Sequence, residues 1–260
     1  MAQTAPAVAK SEAAVYTYWV DTPAMILRLP ADVTGGTNAG GLAYHPLRKI
    51  YYSAMAGNAA YPIVTFDNRG KWLATAPANA DLRGIWYNNT LGRIEVNLYP
   101  KKGWAYYETD TRGTPFKLLP INSDSLAIYD VDACPVYDSK NNQLIYLDYD
   151  YLLRYNAVDG KYLEETQLDS EYAVEFDFVN TTSPGYTGRS QEEIALLDAQ
   201  RMQVLLFDMA NGRCTGKISF KKQPSSNGFD RFNFAVCNNM VWLFDVTKRE
   251  WRGYKLPQKR

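Results

Sequence analysis

The chain has 260 residues, and its 28 Lys and Arg residues balance its 28 Asp and Glu residues, so the formal net charge is zero. A zero net charge argues against nucleic acid as the main partner, because neutralising phosphates requires a clustered basic excess. Apolar runs stay short of the roughly 18 residues that a membrane-spanning helix requires. The 46% hydrophobic content suffices for a core, and the 20 Tyr, 10 Phe and 6 Trp residues favour strands.

Residues 1–14 are rich in Ala and lack the apolar stretch of a signal peptide, so we predict a disordered tail. This composition is typical of the start of a mature exported protein. It favours a secreted or periplasmic location, with a cytoplasmic one as the alternative. The three cysteines, Cys134, Cys214 and Cys237, are odd in number and form no CxxC pair. Buried free thiols are therefore expected rather than a disulfide framework or a structural zinc site.

The regular part of the chain follows two strands and a loop. Residues 15–20 and 25–29 read as strands on either side of the turn Asp21-Thr-Pro-Ala24, and residues 32–41 form a loop rich in Gly and Asn. Helical spacing of apolar residues does not persist beyond two turns anywhere in the sequence. Residues 41–74 then predict a four-stranded antiparallel meander, with strands near 42–45, 50–55, 62–66 and 71–75.

Weaker copies of this meander recur toward the C-terminus. The turn between the third and fourth strands returns with a glycine at 70, 113, 160 and 212, at intervals of about 43 to 52 residues. Glycine suits such turns because it adopts positive φ, and Asp or Asn caps them through its side chain. Asn-Asn pairs at 88–89, 141–142 and 238–239 mark the turn between the first two strands. Self-similarity at this period is the signature of a repeat architecture.

We therefore predict an all-β, single-domain β-propeller over residues 15–260, with five four-stranded blades. The last blade lacks a strand, which the N-terminal strand supplies, because an open edge would otherwise remain. Six blades would result if residues 15–30 formed a reduced blade of their own. The predicted blades cover about 41–80, 81–124, 125–169, 170–220, and 221–260 completed by 15–30.

Two stretches carry a resemblance to known repeats. Gly41-Leu-Ala-Tyr-His-Pro with Lys49-Ile-Tyr-Tyr-Ser, and Pro135-Val-Tyr-Asp-Ser-Lys-Asn-Asn-Gln-Leu-Ile-Tyr-Leu-Asp-Tyr-Asp150, resemble the repeats of YWTD and NHL propellers. The resemblance extends over about residues 40–250. It implies a propeller with a ligand site at one mouth of the central channel, in a group that includes receptors, lactonases, sugar-binding proteins and scaffolds. Fold alone does not choose among these functions.

Carboxylates recur where the inner strands of successive blades begin. If they converge on the channel axis they could hold Ca²⁺, which accepts six to eight oxygen ligands. Gluconolactonase-type propellers, similar in fold, use such a calcium site. The competing reading is that these carboxylates are solvated or pair with Arg83 and Arg231. The calcium candidates are Asp132, Glu175, Asp177 and Asp230.

Ligand contacts are expected from Asn58, Arg83 and Arg231 at the same mouth, and from Tyr186 and Arg189 between the first two strands of the fourth unit. Tyr186 and Arg189 belong to segment 180–190, which reads as a long loop, and loops of this length often carry function. An idle loop is the competing reading. The single histidine, His45, precedes a proline at a turn, which favours a structural role over that of a general base.

A catalytic constellation is missing from these patterns, so the sequence favours a non-enzymatic propeller that binds a small molecule, glycan or protein at one mouth of the channel. A calcium-dependent hydrolase or lactonase is the first alternative. An interaction scaffold is the second.

Overall fold

The computed structural model describes residues 15–36, 38–99, 103–121, 134–173, 183–221 and 233–259. Within these ranges the chain forms 21 strands and one four-residue helix. The N-terminal segment supplies β1 (Tyr16–Val20) and β2 (Met25–Arg28). None of the described helical residues belongs to a helix long and apolar enough to cross a membrane.

The strands that follow form the described sheets in chain order, each an antiparallel meander from the centre outward. Blade 1 contains β3 (Asn38–His45), β4 (Ile50–Ala56), β5 (Pro62–Asp67) and β6 (Trp72–Pro77). Blade 2 contains β7 (Asp81–Asn88), β8 (Arg93–Tyr99), β9 (Trp104–Thr109) and β10 (Pro115–Pro120). Blade 3 contains β11 (Val136–Asp138), β12 (Gln143–Asp148), β13 (Tyr151–Asn156) and β14 (Tyr162–Gln167).

Helix α1 (Ser170–Ala173) precedes the last two blades. Blade 4 contains β15 (Gly185–Tyr186), β16 (Ile194–Asp198), β17 (Gln203–Phe207) and β18 (Cys214–Phe220). Blade 5 contains β19 (Phe234–Cys237), β20 (Met240–Asp245) and β21 (Glu250–Lys255). The prediction of a five-bladed propeller with a YWTD- or NHL-like repeat is confirmed by these sheets.

The two N-terminal strands join different blades. Strand β2 pairs antiparallel with β21 and becomes the fourth strand of blade 5, which confirms closure by the N-terminal segment. Strand β1 pairs parallel with β18 and adds a fifth strand to blade 4. The sequence pattern did not indicate this second pairing.

The repeated turns are held by the residue types that the sequence shows there. In the turn of blade 1, the Asp67 carboxylate accepts hydrogen bonds from the backbone N–H groups of Arg69, at 2.8 Å, and Lys71, at 2.9 Å. Gly70 has a φ of 83°, a conformation that side chains disfavour. Asp110 caps the matching turn of blade 2 in the same way.

The core lies between the blades. Successive residues of a strand point to opposite faces, so Tyr51 packs into the cluster between blades 5 and 1, while Tyr52 packs between blades 1 and 2. Both side chains are fully buried, as are Trp242 and Trp251 of blade 5. Cys134, Cys214 and Cys237 form no disulfide within the described residues; Cys134 and Cys214 are buried, and Cys237 is partly buried.

Candidate functional site

A cavity of about 360 Å³ occupies the centre of the propeller. Its lining includes residues of all five innermost strands, β3, β7, β11, β15 and β19. These strands run in one direction, so the turns that follow them meet at one end of the channel. Pro46, Asn89, Ser139 and Asn238 belong to these turns and line the cavity. We call this end the turn mouth.

Equivalent positions of the five innermost strands form a ring at the turn mouth. The ring positions pair with Tyr51, Ile94, Leu144, Ile194 and Val241, at or next to the start of each second strand. Blades 1 to 4 each place a tyrosine there, and blade 5 places a valine. The ring consists of Tyr44, Tyr87, Tyr137, Tyr186 and Val236, all of which line the cavity.

The valine leaves the ring incomplete. Tyr44, Tyr87, Tyr186 and Val236 are each partly exposed, whereas Tyr137 is buried. Val236 lacks the aromatic ring that the other blades provide, so the aromatic lining has a gap at blade 5. The cavity therefore presents aromatic faces on most of its circumference and a gap on one side.

The residue that follows Tyr44 packs against blade 2. His45 stacks on Tyr87 with 4.5 Å between ring centroids and is 6% exposed. Burial, reinforced by the nearby Arg48, lowers the pKa of His45, so the imidazole is neutral at pH 7. His45 is absent from the described lining. This position supports the structural role expected from the sequence.

A buried carboxylate fixes the wall of blade 2. Glu95 is 1% exposed, and its Oε2 accepts hydrogen bonds from the indole of Trp86 at 2.9 Å and from the amide of Asn88 at 3.1 Å. Its Oε1 accepts from Arg93 Nε at 2.8 Å. Trp86 lines the cavity, and these bonds hold its ring in one orientation. The wall is thus preorganised.

Burial favours the protonated forms of Tyr44, Tyr186 and Cys237 in the cavity lining. Burial, together with the nearby Asp138 carboxylate, raises the pKa of Tyr186. The Tyr186 hydroxyl is inaccessible to solvent and has no hydrogen-bond partner among the described residues. Burial also raises the pKa of Tyr44 and of the Cys237 thiol. The cavity therefore meets the ring of Tyr186 and not its hydroxyl.

The candidates drawn from the sequence occupy different places. Tyr186 lines the cavity, and segment 180–190 contains β15, the innermost strand of blade 4. Asn58 is exposed and accepts a hydrogen bond from Ala60 N, while Arg83 lies 3.4 Å from Asp81 and over the ring of Tyr99. Arg189 is partly buried, 3.9 Å from the Glu192 carboxylate. These three residues do not line the described cavity.

The remaining candidates, Arg231 and the calcium set Asp132, Glu175, Asp177 and Asp230, lie outside the described residues. Within the described ranges, His, Cys, Asp and Glu residues form no group of three or more that could hold a metal ion. The calcium site stays a prediction.

Sequence reasoning placed the site at the mouth where the inner strands begin and missed the ring at the turn mouth. A signal for the ring existed. Tyr44-His45, Tyr87-Asn88, Tyr137-Asp138 and Tyr186-Thr187 each set a tyrosine before a polar residue near a turn. The gap at Val236 could not be recognised until strand pairing aligned that residue with the four tyrosines.

Comparisons with known proteins support the fold alone. No protein-family model matches the sequence, and a search of curated proteins gives no significant match. A glutaminyl cyclase from Myxococcus xanthus superposes with a TM-score of 0.57 at 11% identity, over 92% of this chain and 98% of that chain. A gluconolactonase from Xanthomonas campestris gives a TM-score of 0.47 at 12% identity, over 91% and 86% of the two chains. A nidogen/laminin complex gives 0.44 at 12% identity, over 70% and 63%.

Proposed function

We propose that the protein is a non-enzymatic binding protein that captures a small, uncharged molecule with an apolar ring at the turn mouth. The observation that carries this proposal is the composition of the cavity wall. Aromatic and aliphatic side chains from all five blades converge there, and the described lining contains no Asp, Glu, Lys, Arg or His.

The absence of charged side chains from the described lining determines which ligands the cavity can accept. A charged ligand would lose its hydration without gaining a charged partner, at a large cost in free energy. An apolar ring would gain contacts with the faces of Tyr44, Tyr87 and Tyr186. A volume of about 360 Å³ lies at the lower end of the range for small-molecule sites. The ligand is therefore small, and its polar groups are few.

The raised pKa values favour binding over catalysis. A general base or nucleophile must reach its deprotonated form near the working pH. The Tyr44 and Tyr186 hydroxyls and the Cys237 thiol have pKa values raised by burial, so they remain protonated at neutral pH. The calcium-dependent lactonase reading depends on Asp132, Glu175, Asp177 and Asp230. A melting temperature unchanged by EDTA and by added Ca²⁺ would remove it.

Completing the ring tests the proposal. Val236→Tyr places at blade 5 the side chain that the other blades carry, and should fill the gap. The probe is N-phenylnaphthylamine, a neutral aromatic dye that fluoresces in apolar sites. Its saturable fluorescence with the unmodified protein should fall at least tenfold in the variant, while Val158→Tyr, at an exposed turn residue, should bind normally.

A second blocking variant lies at the same mouth but on blade 3, across the cavity from Val236. Ser139→Trp places a bulky side chain at an exposed lining position, with Lys140→Trp on the next residue as its control. Anilinonaphthalene sulfonate, the charged analogue of the dye, should bind much more weakly. Equal binding of both dyes, or dye binding that survives both blocking variants in folded protein, would refute capture of an uncharged ligand at the turn mouth.

A further inference from the structure

The turns around the cavity mouth expose large apolar side chains at their tips. Leu47 follows Pro46 in the turn of blade 1 and is 83% exposed. Leu91 lies in the turn of blade 2, two residues after Asn89, and is 56% exposed. Pro46 and Asn89 line the cavity, so the two leucines stand beside its opening. A single exposed leucine is ordinary, but two neighbouring tips at one opening form an apolar pair.

Basic side chains surround the same opening. Lys49 in the turn of blade 1 and Lys140 in the turn of blade 3 are exposed. Arg48 is also exposed, but its Nη1 donates to the backbone oxygens of Asp110 and Thr111 in blade 2, both at 3.1 Å. Lys49 and Lys140 form no ion pair in the described part of the chain. Lys259 reaches the turn of blade 4, where its Nζ donates to Ser190 O at 2.6 Å. These cations are distributed over the turns of blades 1, 3 and 4.

The acidic residues of these turns are buried or partly buried, and each accepts hydrogen bonds. Asp138 is fully buried, and its carboxylate accepts hydrogen bonds from the backbone N–H groups of Lys140 and Asn141. Glu192 is 2% exposed and accepts a hydrogen bond from the Tyr18 hydroxyl at 2.7 Å. Glu193 is partly buried and accepts from Gln191 N at 2.9 Å. The exposed charged side chains of these inner turns are therefore basic, although the chain as a whole has zero net charge.

We propose that the turn mouth docks on an anionic lipid membrane, with Leu47 and Leu91 inserted at the level of the headgroups and Lys49, Lys140 and Lys259 facing the anionic lipids. Surface-bound proteins combine apolar insertion with electrostatic attraction in this way. The exposed leucine tips favour a bilayer over an acidic protein, because they gain free energy only where apolar surface covers them. Docking brings the opening of the cavity to the membrane surface, but it does not depend on ligand capture.

Co-sedimentation of the full chain with lipid vesicles tests the docking. We expect binding to vesicles that contain phosphatidylglycerol and little binding to pure phosphatidylcholine, with affinity falling as salt rises. Lys49→Glu combined with Lys140→Glu should lower the affinity at least tenfold. Leu47→Ser combined with Leu91→Ser, which keeps every charge, should also lower it about tenfold.

The control variants test whether vesicle binding depends on the turn mouth or on exposed leucine and lysine residues anywhere on the surface. Leu163→Ser with Lys117→Glu changes the same residue types on the outer strands β14 and β10, and should leave vesicle binding unchanged. Val236→Tyr should also leave it unchanged, so a failure of ligand capture is distinguishable from a failure of docking. Absence of binding to phosphatidylglycerol vesicles would overturn the proposal. Vesicle binding that depends on the lysines but not on the leucines would also overturn it, because the leucines would then not insert into the membrane.

Discussion

The N-terminal segment supplies two strands, and the structure uses them differently. Strand β2 completes blade 5 as its fourth strand, and its Leu27 is fully buried in the cluster between blades 5 and 1. Strand β1 joins a blade that already has four strands, in parallel orientation. It buries Tyr18, at 6% exposure, and leaves Trp19 60% exposed. Thus β2 closes the ring of blades, whereas β1 covers an edge that would otherwise be unpaired.

The difference shows that closure and edge protection are separate tasks. Without β2, the last blade would have three strands, and the core between the first and last blades would lose a wall. Without β1, all five blades would still have four strands each. What β1 adds is local, namely a covered edge on β18 and a donor for Glu192. Substitutions in β2 should therefore lower the free energy of unfolding more than substitutions in β1.

The largest effect is expected in β2. Leu27→Ala removes a fully buried side chain from the closing strand and should lower the free energy of unfolding by about 3 kcal/mol. Ile26→Ala, on the same strand but 42% exposed, should cost less than about 1 kcal/mol. Denaturant unfolding followed by tryptophan fluorescence measures both. Equal costs for the two variants would show that β2 does not close the propeller through core packing.

A smaller effect is expected in β1. Tyr18→Phe removes the hydroxyl that donates to the buried Glu192 carboxylate, and leaving such an acceptor unpaired costs about 2 kcal/mol. Trp19→Ala, at the exposed neighbouring position, should change the stability by less than about 0.5 kcal/mol. The same unfolding measurement applies. A Tyr18→Phe cost as large as that of Leu27→Ala would erase the distinction between closing and covering strands.

Closure by the N-terminal segment was predictable because the repeat shows that the last blade is one strand short. The recurring glycine turns and Asn-Asn turns mark the successive blades, and the last unit lacks one strand. The repeat contains no such signal for β1. A fifth strand depends on the shape of one particular edge and on the Tyr18–Glu192 bond, whose partners lie 174 residues apart. Local patterns do not encode a contact at that separation.

In the candidate site, too, local sequence patterns predict some residues, whereas tertiary contacts decide the role of others. Tyr186 was recognised because its residue type suits ligand contact, and the structure places it in the cavity lining. Arg83 and Arg189 were chosen for the same reason, yet they lie against the carboxylates of Asp81 and Glu192. Residue type indicates what a side chain can bind, but neighbours decide whether it is available. The gap at Val236 depends on what is missing relative to four other blades, and only strand register reveals it.

A pH measurement gives the finest test of the difference between the two strands. Burial and the Glu192 carboxylate raise the pKa of Tyr18 from 10.0 to about 12. Because the folded pKa is higher than the unfolded one, Tyr18 contributes stability that is complete below pH 10 and is lost as the pH rises toward 12. Between these values the folded state holds one proton more at this site, so Tyr18→Phe should make the decline in stability shallower by up to about 1.4 kcal/mol per pH unit. Leu27→Ala changes no ionisable group and should leave the slope unchanged while lowering the stability at every pH. An identical slope for Tyr18→Phe and the unmodified protein would show that the bond to Glu192 does not hold β1 in place.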